Sequence, residues 1–141
     1  MPHTRLSPAR LVAALAAVGV VSLLTLAPWA FVHPLRGGVV WLLQDLAEPV
    51  MMWLPGGPDQ VLNTLLFIPL GATIALLLPR RAWLLAIVAG FALSAVVEIA
   101  QESIPGRVPD AGDVLWNTCG GAIGVIVVSL IRLLGATQRG R

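Results

Sequence analysis

The chain has 141 residues, of which 57% are hydrophobic and 11% are charged, and its mean hydropathy is +0.89. Soluble domains carry roughly 25% charged residues. A soluble chain of this length has too small a core to bury so much apolar surface, so the composition excludes that class of protein and requires a lipid bilayer as partner. The formal net charge is +2, all nine basic residues are arginine, and the single cysteine excludes an internal disulfide.

Four apolar runs follow one another along the chain, each close to the ~20 residues that cross a bilayer as a helix. The predicted helices cover residues 11–31, 61–78, 82–102 and 114–134. The first run follows Arg5 and Arg10 and so also resembles a secretory signal peptide. Its length and the poor cleavage site after it favour a retained helix. Pro79, Arg80 and Arg81 form a very short turn, which makes the second and third helices a tight hairpin.

The segment between the first two helices contains a shorter apolar stretch, residues 39–54. Gln44, Asp45 and Glu48 fall within one helical turn of it, opposite apolar side chains. This pattern predicts a helix lying in the outer interface, with a re-entrant segment as the alternative.

The arginines are distributed unevenly between the two sides of this bundle. Seven share one side and only two, Arg36 and Arg107, fall on the other; the seven are Arg5, Arg10, Arg80, Arg81, Arg132, Arg139 and Arg141. The positive-inside rule makes the seven cytoplasmic, together with both termini. All acidic residues then lie at or near the outer side. The fold class is therefore an all-α, single-domain membrane bundle of about four helices spanning residues 1–141.

Polar side chains recur near the outer ends of the helices. Ser94, Glu98, Gln101 and Glu102 share one face of the third helix because they are three or four residues apart. Asn63 opens the second helix, Asp113 and Asn117 open the fourth, and the loop between the third and fourth carries Arg107 and Asp110. We expect these groups to converge on one acidic outer pocket that suits a cation, or a phosphate bridged by a divalent metal. Asp113 is also expected to be the N-cap of the fourth helix.

Several of these residues form motifs in a fixed order. Residues 63–71 read NTLLFIPLG, 98–101 read EIAQ, 107–113 read RVPDAGD, and 117–120 read NTCG, followed by Gly124. In this order and spacing the sequence resembles the VanZ-like family. The resemblance covers residues 61–128 and departs from the family pattern at Gly112, where many relatives have an acidic residue.

The resemblance implies a multi-pass protein of the bacterial cytoplasmic membrane, related to one associated with reduced susceptibility to teicoplanin. The candidate ligand-binding residues are Asn63, Glu98, Gln101, Arg107, Asp110, Asp113 and Asn117. The candidate helix-packing residues are Pro69, Gly71, Gly120 and Gly124, and the last two form a G-x-x-x-G pair that allows close helix contact.

Three classes of function fit the sequence. The first is a protein whose outer pocket binds a cell-envelope component, such as a lipid-linked intermediate, and alters access by glycopeptides. The second is a membrane-surface enzyme that uses Glu98 as general acid or base, with a divalent cation held by Asp110 and Asp113. The third is a small transporter subunit. The sequence disfavours this class, because no path of polar residues continues through the bundle toward the cytoplasm. A purely structural role of Glu98 and Gln101 is the alternative to a ligand-binding or catalytic one. The acidic outer face excludes nucleic acid as a partner. The sequence leaves the oligomeric state open.

Overall fold

The computed structural model of the protein describes residues 7–51, 57–104 and 110–138, and these residues form helices and no strand. The helices are α1 (Pro8–Leu26), α2 (Trp29–Met51), α3 (Pro58–Leu77), α4 (Trp83–Gln101) and α5 (Ala111–Gln138), with a short 3-10 turn at Arg80–Ala82. Four segments of the described chain are long and apolar enough to cross a membrane: Pro8–Leu26, Pro58–Leu77, Arg80–Gln101 and Ala111–Ala136. The all-α fold with four membrane-spanning helices is thus confirmed.

The first helix is shorter than the sequence predicted. It ends at Leu26, not at residue 31, and Ala27 has extended backbone angles (φ −66°, ψ 150°). Pro28 is the cause, because a proline disfavours helical geometry in the residue before it. The carbonyl of Pro28 then accepts hydrogen bonds from the backbone N–H groups of Phe31 and Val32, which starts a new helix.

This new helix, α2, begins ten residues before the predicted interfacial stretch 39–54, whose last residues lie outside the described part of the chain. Gly37 and Gly38 do not interrupt it. Val32 and Arg36 are four residues apart and therefore share one face, and both are buried. Helix α2 packs on α3 through this face, and it is not among the helices apolar enough to span.

Helix α5, which corresponds to the fourth predicted helix, begins at Ala111, three residues earlier than predicted. Asp110 directly precedes it and stands at the N-cap position. Asp110 Oδ1 accepts a hydrogen bond from the backbone N–H of Gly112 at 2.7 Å, as an N-cap carboxylate does. The expectation that Asp113 is the N-cap was wrong. Asp113 lies inside the first turn, where a negative charge is favourable near the positive end of the helix dipole.

Helices α3 and α5 form the most extensive contact among the described helices. They run parallel, since residue numbers in their contacts increase together along both helices. A Cβ atom added to Gly120 would lie 2.1 Å from the carbonyl oxygen of Thr64, and one added to Gly124 would lie 2.1 Å from that of Ile68. A Cβ on Gly71 would lie 2.0 Å from the oxygen of Gly121. Only glycine allows backbones to approach so closely.

The two ends of the bundle differ in chemistry. One end, here called the polar end, contains the start of α3, the end of α4 and the start of α5. The other, here called the arginine end, contains the start of α1, the turn between α3 and α4, and the end of α5. Apolar side chains of α1, α3, α4 and α5 fill the space between, with Phe67, Leu70, Ala86 and Val125 almost wholly buried.

Candidate functional site at the polar end

An arginine on α2 is buried against the first turns of α3. Arg36 is 8% exposed, and its Nη2 donates to Asn63 Oδ1 at 2.9 Å and to Asp59 Oδ1 at 3.3 Å. Asn63 is itself buried, whereas the side chain of Asp59 is 67% exposed. The Nε atom of Arg36 is buried without a hydrogen-bond partner among the described residues. Leaving a charged donor unsatisfied is costly, so this atom marks a position suited to an acceptor.

Helix α5 adds a second carboxylate to this group. Asp113 is hydrogen-bonded to the side chain of Asn63, and Arg36, Asp59 and Asp110 all act on it electrostatically. Since Asn63 Oδ1 accepts from Arg36, its amide nitrogen is the group left to donate to Asp113. Asn63 therefore links the guanidinium on one side to a carboxylate on the other. We call Arg36, Asp59, Asn63 and Asp113 the polar cluster.

A second polar pair lies one turn deeper in the bundle. Asn117 Nδ2 donates to Ser94 Oγ at 2.9 Å, and both side chains are buried, with exposed fractions of 4% and 0%. Asn117 Oδ1 has no hydrogen-bond partner within the described chain. The pair joins α4 to α5 and leaves one acceptor unused, which favours a donor group or a water molecule beside it.

Gln101 and Glu98, two residues predicted to belong to the site, bond to the backbone of neighbouring elements. Gln101 Nε2 donates to the carbonyl oxygen of Thr25 at 2.8 Å, so it satisfies the last turn of α1. Glu98 is half-buried, and its Oε1 accepts the backbone N–H of Asp110. These contacts tie the end of α4 to α1 and to the start of α5. Glu98, which the sequence suggested as a general acid or base, therefore has a structural role as a backbone hydrogen-bond acceptor.

Arg107 lies outside the described residues. Within the three described ranges, no group of three or more histidine, cysteine, aspartate or glutamate side chains is placed to hold a metal ion. Asp59 and Asp110 both act electrostatically on Asp113, and the Arg36 guanidinium offsets part of this negative charge.

Sequence reasoning missed Arg36, Asp59 and Thr25 as members of these contacts. A signal for Arg36 existed, because it is one of only two arginines on the acidic side of the chain. The predicted elements left Arg36 between the helix 11–31 and the stretch 39–54, whereas in the structure α2 places it on a buried face with Val32. Nothing in the sequence identifies the backbone oxygen of Thr25 as the acceptor of Gln101.

Comparison with known proteins gives one match. A family model described as VanZ/LLP1 matches residues 10–132, which includes all four spanning helices in large part and every described residue of the polar cluster. No curated protein and no solved structure matches the chain.

Proposed function

Because the chain belongs to the VanZ/LLP1 family, we propose that this multi-pass membrane protein binds the polar headgroup of a cell-envelope component at its polar cluster. The observation that carries the proposal is the buried guanidinium of Arg36, whose Nε has no hydrogen-bond partner among the described residues, at one end of a largely apolar bundle. Charged side chains at membrane depth are expensive and are retained mainly for function.

The chemistry of the cluster indicates the kind of headgroup. Arg36 offers a donor for a phosphate or carbonyl oxygen, while Asp59 and Asp113 accept hydrogen bonds from hydroxyl or amino groups. A ligand that carries both kinds of group, such as the sugar phosphate of a lipid-linked cell-wall intermediate, satisfies both sides of the cluster. A bare anion does not, because one guanidinium faces several carboxylates there.

The orientation of the bundle belongs to the same proposal. The arginine end faces the cytoplasm, as the positive-inside rule requires, and the polar end then faces outward in a bacterial cytoplasmic membrane. A protein that holds envelope intermediates on this face reduces their availability to teicoplanin-type glycopeptides, which lowers susceptibility to those antibiotics.

The test compares two arginine variants in a glycopeptide-susceptible Gram-positive host. Arg36→Gln removes the guanidinium of the polar cluster, and Arg81→Gln makes the same chemical change in the exposed turn at the opposite end. Inhibitory concentrations of teicoplanin and vancomycin are measured beside the amount of each variant in the membrane. We expect wild type and Arg81→Gln to protect selectively against teicoplanin, and Arg36→Gln to lose that protection.

Equal protection by Arg36→Gln at a normal membrane level would exclude the polar cluster as the site. Absence of protection by the wild type at a normal level would remove the glycopeptide part of the proposal. If Arg36→Gln fails to accumulate, Asp59→Asn replaces it, because the Asp59 carboxylate is mostly exposed and its loss leaves Arg36 bonded to Asn63.

A further inference from the structure

A cleft opens at the arginine end of the bundle, remote from the polar cluster. Its volume is about 290 Å³, and it is lined by Arg80, Trp83, Ser129, Arg132, Leu133 and Ala136. The lining comes from the turn between α3 and α4, the start of α4 and the last turns of α5. It combines two guanidinium groups with an indole and aliphatic side chains.

The cleft carries a concentrated positive charge. Arg10 and Arg80 both act electrostatically on Arg132. Helix α1, the turn between α3 and α4, and the end of α5 therefore bring three arginines close together. The ion pair found in the described residues joins Arg36 to Asp59 at the other end. In the described chain, therefore, these arginines are not balanced by a carboxylate, and an anion supplied from outside the protein would balance them.

Arg132 is held in position by the backbone of α3. Its Nη1 donates to the carbonyl oxygens of Ala75 and Leu78 at 2.9 and 3.2 Å, and its Nη2 donates to that of Leu76 at 3.1 Å. A guanidinium has five N–H donors, so these three bonds leave two for another acceptor. Arg80, which also lines the cleft, is exposed.

The apolar part of the lining indicates that the anion belongs to a lipid. Trp83 is 51% exposed and Leu133 is 58% exposed, and both lie beside the arginines at the end of a membrane-spanning helix. Tryptophan is favoured at the level of lipid headgroups, and basic pockets between membrane helices bind anionic headgroups. A free phosphate ion would use the arginines alone and leave this apolar wall uncovered.

We propose that the cleft between the α3–α4 turn and the end of α5 binds the phosphate headgroup of an anionic phospholipid from the leaflet at the arginine end. Arg80 and Arg132 donate to the phosphate, and the acyl chains run along Trp83 and Leu133. Ser129 does not donate to the phosphate, because its hydroxyl already donates to the carbonyl of Val125 at 2.8 Å.

The test measures the first lipid bound to the purified full chain in a neutral detergent, by native mass spectrometry during titration with phosphatidylglycerol or phosphatidylcholine. Arg80→Gln removes a lining arginine, and Arg81→Gln removes its neighbour in the same turn, which does not line the cleft. We expect Arg80→Gln to weaken phosphatidylglycerol binding by about fivefold, and Arg81→Gln to leave it nearly unchanged. Phosphatidylcholine should bind more weakly than phosphatidylglycerol to both variants.

Equal losses in the two variants would overturn the proposal in favour of a diffuse electrostatic attraction, and an unchanged Arg80→Gln would overturn it outright. Ala136→Leu is a second variant, which fills the cleft without changing its charge and should also reduce phosphatidylglycerol binding. Free inorganic phosphate and glycerol phosphate are tested as competitors. Displacement of the lipid by either at low millimolar concentration would assign the cleft to a free anion and overturn the lipid assignment.

Discussion

Arg36 and Asn117 show how single polar residues are accommodated in this apolar bundle. Each is buried, and each has one side-chain atom bonded across to another helix and one atom without a partner in the described chain. Bonded atoms stabilise the helix contact, whereas unsatisfied buried atoms cost free energy. A side chain that only stabilised the fold would be expected to have all its polar atoms satisfied. The two residues therefore combine a structural role with a capacity for one further hydrogen bond.

The bond between Asn117 and Ser94 is directly testable by a double-mutant cycle. We expect Ser94→Ala and Asn117→Ala to be coupled by about 0.6 kcal/mol, and by no more than about 1.7 kcal/mol, as found for buried polar pairs between membrane helices. Unfolding free energies are measured in detergent for both single variants and the double variant.

Ser129→Ala provides the control, because the Ser129 hydroxyl bonds within its own helix to Val125. Its effect should add to that of Asn117→Ala, since the two residues share no partner. A coupling indistinguishable from zero between Ser94 and Asn117 would mean that their hydrogen bond contributes nothing measurable to stability.

At the level of the elements, the pairing of α3 with α5 determines where the polar cluster lies. The glycines of α5 allow the two backbones to touch. Just above them, the Thr64 hydroxyl lies 2.9 Å from the carbonyl oxygen of Gln60 in its own helix and 3.2 Å from that of Trp116 in α5, so its one proton is within reach of both acceptors. Asn63 and Asp113 meet at the same level, at the starts of the two helices. At the other end, Arg132 of α5 satisfies the last carbonyls of α3. The close contact between α3 and α5 along their whole length thus determines the positions of both the polar cluster and Arg132.

Adjacent glycines of α5 should respond in opposite ways to alanine. In Gly120→Ala the new methyl group would overlap the Thr64 carbonyl, so the helices must separate, and we expect a loss of about 1–3 kcal/mol or more. A Cβ on Gly121 meets nothing within 4 Å, so Gly121→Ala should be neutral or stabilising by up to about 1 kcal/mol, the difference in helix propensity. Thermal unfolding in detergent measures both. Similar melting temperatures for the two variants would contradict the close contact.

For the whole molecule, the main feature is the separation of charge between the ends. Arg10, Arg80 and Arg132 are together at one end, and the polar cluster with Asp110 is at the other. Exposed leucine, isoleucine and valine side chains of the spanning helices cover the surface between them, as expected for contact with lipid. Such an asymmetry selects one orientation during insertion.

Cysteine labelling tests this orientation. In a Cys119→Ala background, Asp59→Cys should react with a membrane-impermeant maleimide in intact cells, whereas Arg81→Cys should react only after permeabilisation. Both positions are exposed, so accessibility to the reagent depends on the side of the membrane. The reverse pattern would place the polar cluster in the cytoplasm and would contradict a role in binding components of the outer envelope.

The sequence determined the class of protein, the four spanning segments and the separation of arginines from carboxylates. These properties depend on composition, on the length of apolar runs and on the order of residues along the chain, all of which are local. The same local reasoning placed the end of the first helix wrongly, because it gave Pro28 less weight than the apolar run that continues to Phe31.

Tertiary structure alone decided which polar residues are partners. Whether Gln101 faces Asn63 or Thr25, and whether Arg36 points into the bundle or into water, depends on how each helix is rotated about its axis and how closely its neighbour approaches. Periodicity identifies which residues share one face of a helix, but it does not identify the neighbouring helix against which that face packs. That choice is made by packing between elements far apart in sequence, here by glycines of α5 against the backbone of α3.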